Sequence, residues 1–138
     1  MSLQLKAGKP NPLVVRSVED YERLLDFVFV KRPFIPFPIK KVLTQEAIEH
    51  HPLNRKIFKQ LRSSVDVSPL EVLLKGSSVK TLIVWGAQDR VLHISGAKIL
   101  ESVMQKAKVE VMDATGHLPM VEKPEETAVL YLTFLESK

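Results

Sequence analysis

The sequence contains no cysteine, which excludes disulfide bonds, thiolate zinc sites and a cysteine nucleophile. It also lacks an apolar run close to the roughly 20 residues that a membrane-spanning helix requires. Residues 1–12 hold two lysines but no apolar core of signal-peptide length. A chain without cysteine fits a reducing compartment without requiring one, so the location stays unknown, with the cytoplasm slightly favoured.

Charge and histidine patterns exclude further classes of partner. The net charge is +4 at pH 7 over 138 residues, but the basic residues are spread along the chain between apolar ones. We therefore expect solvated faces and no nucleic-acid partner. Two groups of residues could suggest a metal, His50-His51 and His93 with Asp89, but neither places two ligands at i,i+4 on a predicted helix, and neither has an obvious third ligand. We expect no metal and no cofactor.

The first half of the chain shows helical patterns separated by prolines. Residues 1–12 form an N-terminal segment that could in part be a cloning remnant, and residues 13–76 (the helical half) contain no convincing strand. Ser17 opens a sequence that resembles a capping box and leads into an apolar stripe with helical spacing. We predict helices from Ser17 to about Val30, from Thr44 to Glu49, from Asn54 to Arg62, and from Ser68 onward.

A proline-rich segment separates the first two predicted helices. Its three prolines forbid a continuing helix, because proline lacks an N–H group and clashes with the preceding turn. Residues 31–38 should therefore be extended. They should present three apolar side chains at close intervals, Phe34, Ile35 and Phe37.

Residues 77–138 (the strand half) follow a strand–helix–strand–helix pattern. The run Val79–Trp85 is almost entirely apolar, which is typical of a strand covered on both faces. A strand–helix–strand unit pairs its strands in parallel through a right-handed crossover. Two parallel strands do not form a stable sheet alone, so we expect one edge of a larger α/β sheet, with the other strands upstream or in another molecule. The predicted elements are a strand over Val79–Trp85, a helix over Ser95–Ala107, a strand over Val109–Met112 and a helix over Pro124–Glu136.

Two side chains follow the predicted strands at positions where functional groups collect. Asp89 comes shortly after the first strand and His117 after the second. Because the carboxyl ends of adjacent parallel strands lie at one edge of the sheet, Asp89 and His117 could meet. An aspartate bonded to one imidazole nitrogen fixes the histidine tautomer and stabilises the imidazolium that forms when the other nitrogen takes a proton.

These motifs resemble the end of the α/β-hydrolase fold. An apolar strand that ends in Trp85-Gly86, with Asp89 three residues after the glycine, is similar to the acid loop of that family. Gly116-His117, followed by an acid, a proline and a terminal amphipathic helix, is similar to its base loop. The family order of Ser, then Asp or Glu, then His matches acid before base. The resemblance implies that Asp89 is the triad acid and His117 the triad base.

The resemblance extends over nearly the whole chain. Four stretches are similar to monoacylglycerol-lipase-like hydrolases: residues 11–13, the first predicted helix, residues 54–58 and residues 89–97. The resemblance implies a helical lid over 13–76 and a C-terminal βαβα part of the hydrolase core over 77–138. A hydrophobic ester or acylglycerol-like substrate follows from this likeness. The apolar side chains of the proline-rich segment could line an acyl pocket or could only form the packing surface of the lid. The candidate lining residues are Phe34, Ile35, Phe37, Val91 and Leu118.

The sequence departs from the family pattern at the nucleophile. The family places a serine on a Gly-x-Ser-x-Gly elbow, and no such motif occurs here. We therefore expect a C-terminal fragment of a Ser-Asp-His carboxylic-ester hydrolase that is inactive alone. Two alternatives stay open: a non-catalytic binding or regulatory module, and a fragment of a dehalogenase or epoxide-hydrolase relative with an Asp nucleophile. We also expect the isolated chain to self-associate through the open edge of its first strand and the apolar face of the lid.

Overall fold

The computed structural model describes residues 11–63 and 70–137. Helices come first and a strand–helix–strand–helix unit follows, as the sequence predicts. The helical half contains α1 (Val18–Val28), α2 (Phe37–Glu49), α3 (His51–Ser63) and α4 (Leu70–Leu73). The strand half contains β1 (Thr81–Gly86), α5 (Ser95–Val103), β2 (Ala107–Met112), α6 (Pro119–Glu122) and α7 (Pro124–Glu136).

Helix α1 begins at the predicted cap. Ser17 has extended backbone dihedrals, and its Oγ accepts a hydrogen bond from the Asp20 N–H at 3.2 Å. The capping box is incomplete, because the Asp20 carboxylate accepts from the N–H of Arg16 at 2.9 Å. The buried face of α1 forms the main hydrophobic core of the helical half together with residues on either side of the helix. The core residues are Val15, Tyr21, Leu25, Val28 and Phe29.

Helix α2 begins well before the predicted start at Thr44, so the prediction of a cap there and of extended backbone through Pro38 was wrong. Pro36 occupies the N-cap position and Pro38 lies in the first turn. N–H groups in a first helical turn have no intrahelical acceptor, so proline at these positions removes no helical hydrogen bond. Thr44 is buried within the helix, and its hydroxyl donates to the carbonyl of Lys40 at 2.7 Å.

Helix α3 follows α2 after a single residue, His50. Helix α3 starts at His51, earlier than the predicted Asn54, and Pro52 again lies within the first turn. The predicted helix start at Ser68 lies outside the described residues, and the described part is the short α4. Within the described ranges, no helix is both long and apolar enough to cross a membrane.

The two strands pair in parallel, as predicted. Thr81 aligns with Ala107 at one end of the ladder and Gly86 with Met112 at the other. Strand β2 starts two residues before the predicted Val109, because Ala107 and Lys108 also pair with β1. Helix α5 accordingly ends at Val103 rather than at Ala107.

Helix α7 has the predicted bounds, but its apolar side chains are exposed. Four of them have more than half of their surface accessible: Val129, Tyr131, Leu132 and Leu135. Exposed side chains of this size on one helix are unusual for a surface that faces only water. This face is therefore available for contact with another protein segment.

Candidate active site

The loop after β1 (the β1 loop, residues 87–94) places Asp89 beside the end of the sheet. The N–H of Asp89 donates to the Gly86 carbonyl at 3.2 Å, which closes a tight turn. The Asp89 Oδ1 atom accepts from the N–H groups of Val91 at 2.7 Å and Leu92 at 3.0 Å. Only 5% of the Asp89 side chain is exposed. The carboxylate is thus buried and held by its own loop.

The loop after β2 (the β2 loop, residues 113–118) is joined to the β1 loop by two hydrogen bonds between Gln88 and Thr115. The N–H of Gln88 donates to the Thr115 carbonyl at 3.0 Å, and the N–H of Thr115 donates to the Gln88 Oε1 atom at 3.0 Å. Ala114 has φ of 48°, a left-handed conformation that turns the chain after the strand. These contacts fix the two loops against each other.

Gly86 is required where the two loops meet. A Cβ atom at this position would lie 1.9 Å from the Gly116 carbonyl oxygen and 2.5 Å from the Thr115 carbonyl oxygen. Both neighbours are backbone atoms, which cannot rotate away as the end of a side chain can. The end of β1 therefore packs directly on the backbone of the β2 loop.

Asp89 and His117 form a hydrogen-bonded pair. The Nδ1 atom of His117 lies 2.9 Å from Oδ2 of Asp89, and 30% of the His117 side chain is exposed. A carboxylate can only accept a hydrogen bond, so Nδ1 carries a proton, and in the neutral imidazole Nε2 has a free lone pair. An imidazole in this tautomer can take a proton from a hydroxyl group. The structure thus brings together both residues that the sequence singled out.

The end of α1 is hydrogen-bonded to both loops. The His117 N–H donates to the Val28 carbonyl at 2.8 Å, and Nη1 of Arg90 donates to the Asp26 carbonyl at 2.8 Å. Gly116 permits this approach, since a Cβ atom there would lie 2.3 Å from the Val28 carbonyl oxygen. The helical half therefore touches the pair through backbone groups.

Glu122 adds a contact that the sequence reasoning had not identified. Its Oε1 atom accepts from the Gly116 N–H at 2.6 Å, and its Oε2 atom accepts from Val30 and Lys31 N–H groups, both at 2.9 Å. The only sequence signal was an acid shortly after the histidine. Its partners on the helical half lie too far away along the chain to be found by local patterns.

An apolar cavity of about 530 Å³ lies between α1, the proline-rich segment and the β2 loop. Three of the five candidate lining residues border this cavity: Phe34, Ile35 and Leu118. Phe37 lies instead in the first turn of α2 and borders a separate surface groove. Val91 is partly buried against the core of the helical half.

A network of ion pairs connects α1, the proline-rich segment and α2. Glu22 pairs with Lys40 and, at 2.6 Å, with Arg32, which also donates through Nε to Asp26 at 2.7 Å. Hydrogen bonds from Lys40 and Arg32 lower the pKa of Glu22. The carboxylates of Asp26 and Glu22 raise the pKa of Arg32.

In residues 11–63 and 70–137, no group of three or more Asp, Glu or His side chains could hold a metal ion.

Comparison with known proteins gives consistent matches to lipases. The chain is 34% identical over 133 residues to Lipase 1 of Psychrobacter immobilis, which covers 96% of this chain and 42% of that lipase. It is 33% identical over 126 residues to monoacylglycerol lipase ABHD6 of Rattus norvegicus, which covers 91% of this chain and 37% of that protein. No protein-family model matches the chain.

A solved structure shows the same architecture. The crystal structure of a membrane phospholipase A, described as a bacterial virulence factor, matches with a TM-score of 0.88 and 41% identity. This match covers 99% of this chain and 45% of the phospholipase chain. The chain thus spans less than half the length of each of these three proteins.

Proposed function

Because this chain belongs to the α/β-hydrolase family and corresponds to a C-terminal part of its relatives, we propose that Asp89 and His117 are the acid and base of a Ser-Asp-His triad. The observation that carries the proposal is the 2.9 Å hydrogen bond between them at the carboxyl ends of two adjacent parallel strands. This is the place where catalytic groups of open α/β sheets collect. The serine would come from a segment that this sequence does not contain.

The reaction that the pair supports is ester hydrolysis through an acyl-enzyme. The Nε2 atom of His117 takes the proton from the serine hydroxyl as its oxygen attacks the ester carbonyl, and then gives that proton to the leaving alcohol. Asp89 holds the ring and stabilises the imidazolium. Water then hydrolyses the acyl-enzyme by the same steps, with His117 again acting as base.

The cavity beside the pair supports a hydrophobic acyl substrate. Its volume of about 530 Å³ lies in the range of small-molecule pockets, roughly 300–1,000 Å³. Leu118, which borders the cavity, directly follows His117 in the chain. We therefore propose that residues 13–76 form a lid, that Phe34 and Ile35 contribute to acyl binding, and that the substrate is an ester of a fatty acid or a related acylglycerol.

The test needs both the chain and a longer protein. We expect the purified chain to hydrolyse p-nitrophenyl esters at the background rate. In a longer hydrolase that contains this chain and an upstream elbow serine, His117→Ala should lower kcat on the order of 10⁶-fold, and Asp89→Asn should lower it on the order of 10⁴-fold. The matched control is His50→Ala, which removes an exposed imidazole at the end of α2 and should leave kcat unchanged.

Labelling separates the alternatives. A serine-directed fluorophosphonate should label the folded longer protein, and absence of labelling would contradict the serine mechanism. Retained hydrolysis without labelling would indicate an aspartate nucleophile. A folded longer protein with neither labelling nor hydrolysis would indicate a binding or regulatory module.

A further inference from the structure

The carboxylate of Glu122 joins two parts of the chain that are far apart in sequence. It accepts hydrogen bonds from Gly116 in the β2 loop at 2.6 Å and from Val30 and Lys31 after α1, both at 2.9 Å. Val30 and Lys31 lie 92 and 91 residues from Glu122. We call this group of three hydrogen bonds the Glu122 clasp.

The clasp acts on the residue next to His117. Helix α6 follows His117 after one residue, and its last residue, Glu122, reaches back to the Gly116 N–H. The adjoining N–H of His117 donates to the Val28 carbonyl at 2.8 Å. Consecutive N–H groups at 116 and 117 are therefore both fixed, one by Glu122 and one by α1.

The packing leaves the clasp little freedom. A Cβ atom at Gly116 would lie 2.8 Å from Oε1 of Glu122 and 3.2 Å from the Cα of Phe29, so the backbones of the β2 loop and the helical half are in contact. Glu122 itself is only partly exposed. Any displacement of the segment after α1 must then move Glu122, Gly116 and the start of His117 together.

We propose that Glu122 is a positioning residue that sets the place of His117 from the helical half. The proposal rests on the proposed function only in treating His117 as the base. A carboxylate has two oxygens and can accept all three N–H groups. A carboxamide has one oxygen and a donor NH₂, which would face at least one N–H group with another donor. Glutamine at this position therefore keeps the size but breaks part of the clasp.

The test is amide hydrogen exchange and histidine NMR on this chain, with Glu122→Gln compared with Glu125→Gln. Glu125 is an exposed acid in the first turn of α7, so its variant loses the same charge nearby. We expect exchange at one or more of the Gly116, Val30 and Lys31 amides to accelerate about tenfold or more in Glu122→Gln. The ring signals of His117 should shift or broaden in the same variant, while amides of β1 stay protected. Glu125→Gln should match the unmodified chain.

Three results would overturn the proposal. One is a Glu122→Gln variant that behaves like Glu125→Gln, and another is equal acceleration at all amides, including those of β1. Glu122→Asp is the second variant, since it keeps the charge but is one methylene too short to reach all three donors. It should also lose protection at the clasp. The third overturning result is complete unfolding of both Glu122→Gln and Glu122→Asp, because Glu122 would then contribute to stability only.

A separate variant reports on the proposed function. Asp89→Asn removes the carboxylate that holds the His117 ring but leaves the clasp in place. If its His117 ring signals do not change, the Asp89–His117 pair and the proposed triad fail. The hydrogen bonds of the clasp are judged by the Gly116, Val30 and Lys31 amides, and its effect on His117 by the ring signals in Glu122→Gln, which must change for the proposal to stand.

Discussion

Replacing Gly86 with alanine should separate the two loops that carry Asp89 and His117. The new Cβ would lie 1.9 Å from the Gly116 carbonyl oxygen, where ordinary contacts begin at 3.4 Å. The β2 loop would have to retreat by about 1.5 Å to restore an ordinary contact. Such a shift would stretch the 2.9 Å bond between His117 and Asp89 beyond hydrogen-bond range.

The size of the effect follows from the kind of atoms involved. Overpacking costs about 1–3 kcal/mol, and we expect the upper end here because the clashing neighbours are backbone atoms. With a urea m-value of about 1.5 kcal/mol/M, a loss of about 3 kcal/mol lowers the unfolding midpoint by about 2 M. The fluorescence of Trp85, the single tryptophan, reports the transition from the residue next to the substitution.

Gly76→Ala is the matched control. Gly76 has φ of +76° and nothing within 4 Å of the position of an added Cβ, so only backbone strain applies. That strain is worth about 1–2 kcal/mol, which corresponds to a midpoint lower by about 1 M. A midpoint for Gly86→Ala no lower than that for Gly76→Ala would refute the steric argument.

Two further predictions concern the helical half and the exposed faces. Hydrogen bonds from Lys40 and Arg32 lower the pKa of Glu22 from 4.5 in the folded chain, so their stabilisation is present above that value and disappears as the pH falls through the folded pKa. Glu22→Gln should therefore lower the unfolding free energy by about 1 kcal/mol or less at neutral pH, and this loss should shrink as the pH falls below 4.5 and disappear below the folded pKa. A loss in urea titrations that does not change with pH over this range would contradict this origin. The isolated chain should self-associate through the exposed apolar face of α7, as measured by light scattering during dilution, and Leu132→Glu should weaken the association; a monodisperse monomer for the unmodified chain would rule it out.

The parts of the fold that the sequence predicted well carry strong local signals. The apolar run before Gly86 gives a strand, and Pro124 with two following acids marks the start of α7. Parallel pairing followed from the strand–helix–strand order. That order also puts Asp89 and His117 at the same edge of the sheet.

The parts that the sequence did not predict depend on position within an element or on distant partners. Prolines at 36 and 38 are compatible with a helix only because they fall at its beginning, which composition alone does not reveal. Lys108 is long and charged, yet it extends β2 because it pairs with Leu82. The three donors to Glu122 lie in two separate segments, and only the folded chain brings them together.

The hydrogen bonds at the end of α1 indicate where chimeras between related lipases should be joined. Four backbone groups in this region form hydrogen bonds with the strand half: the carbonyls of Asp26 and Val28 and the N–H groups of Val30 and Lys31. A transplant that starts at residue 13 would bring a foreign backbone to His117, and we expect such hybrids to lose the placement of the imidazole. A junction within residues 33–36 keeps α1 with its own histidine and exchanges α2 and α3, together with the part of the cavity wall that α2 supplies through Ile39 and Leu43.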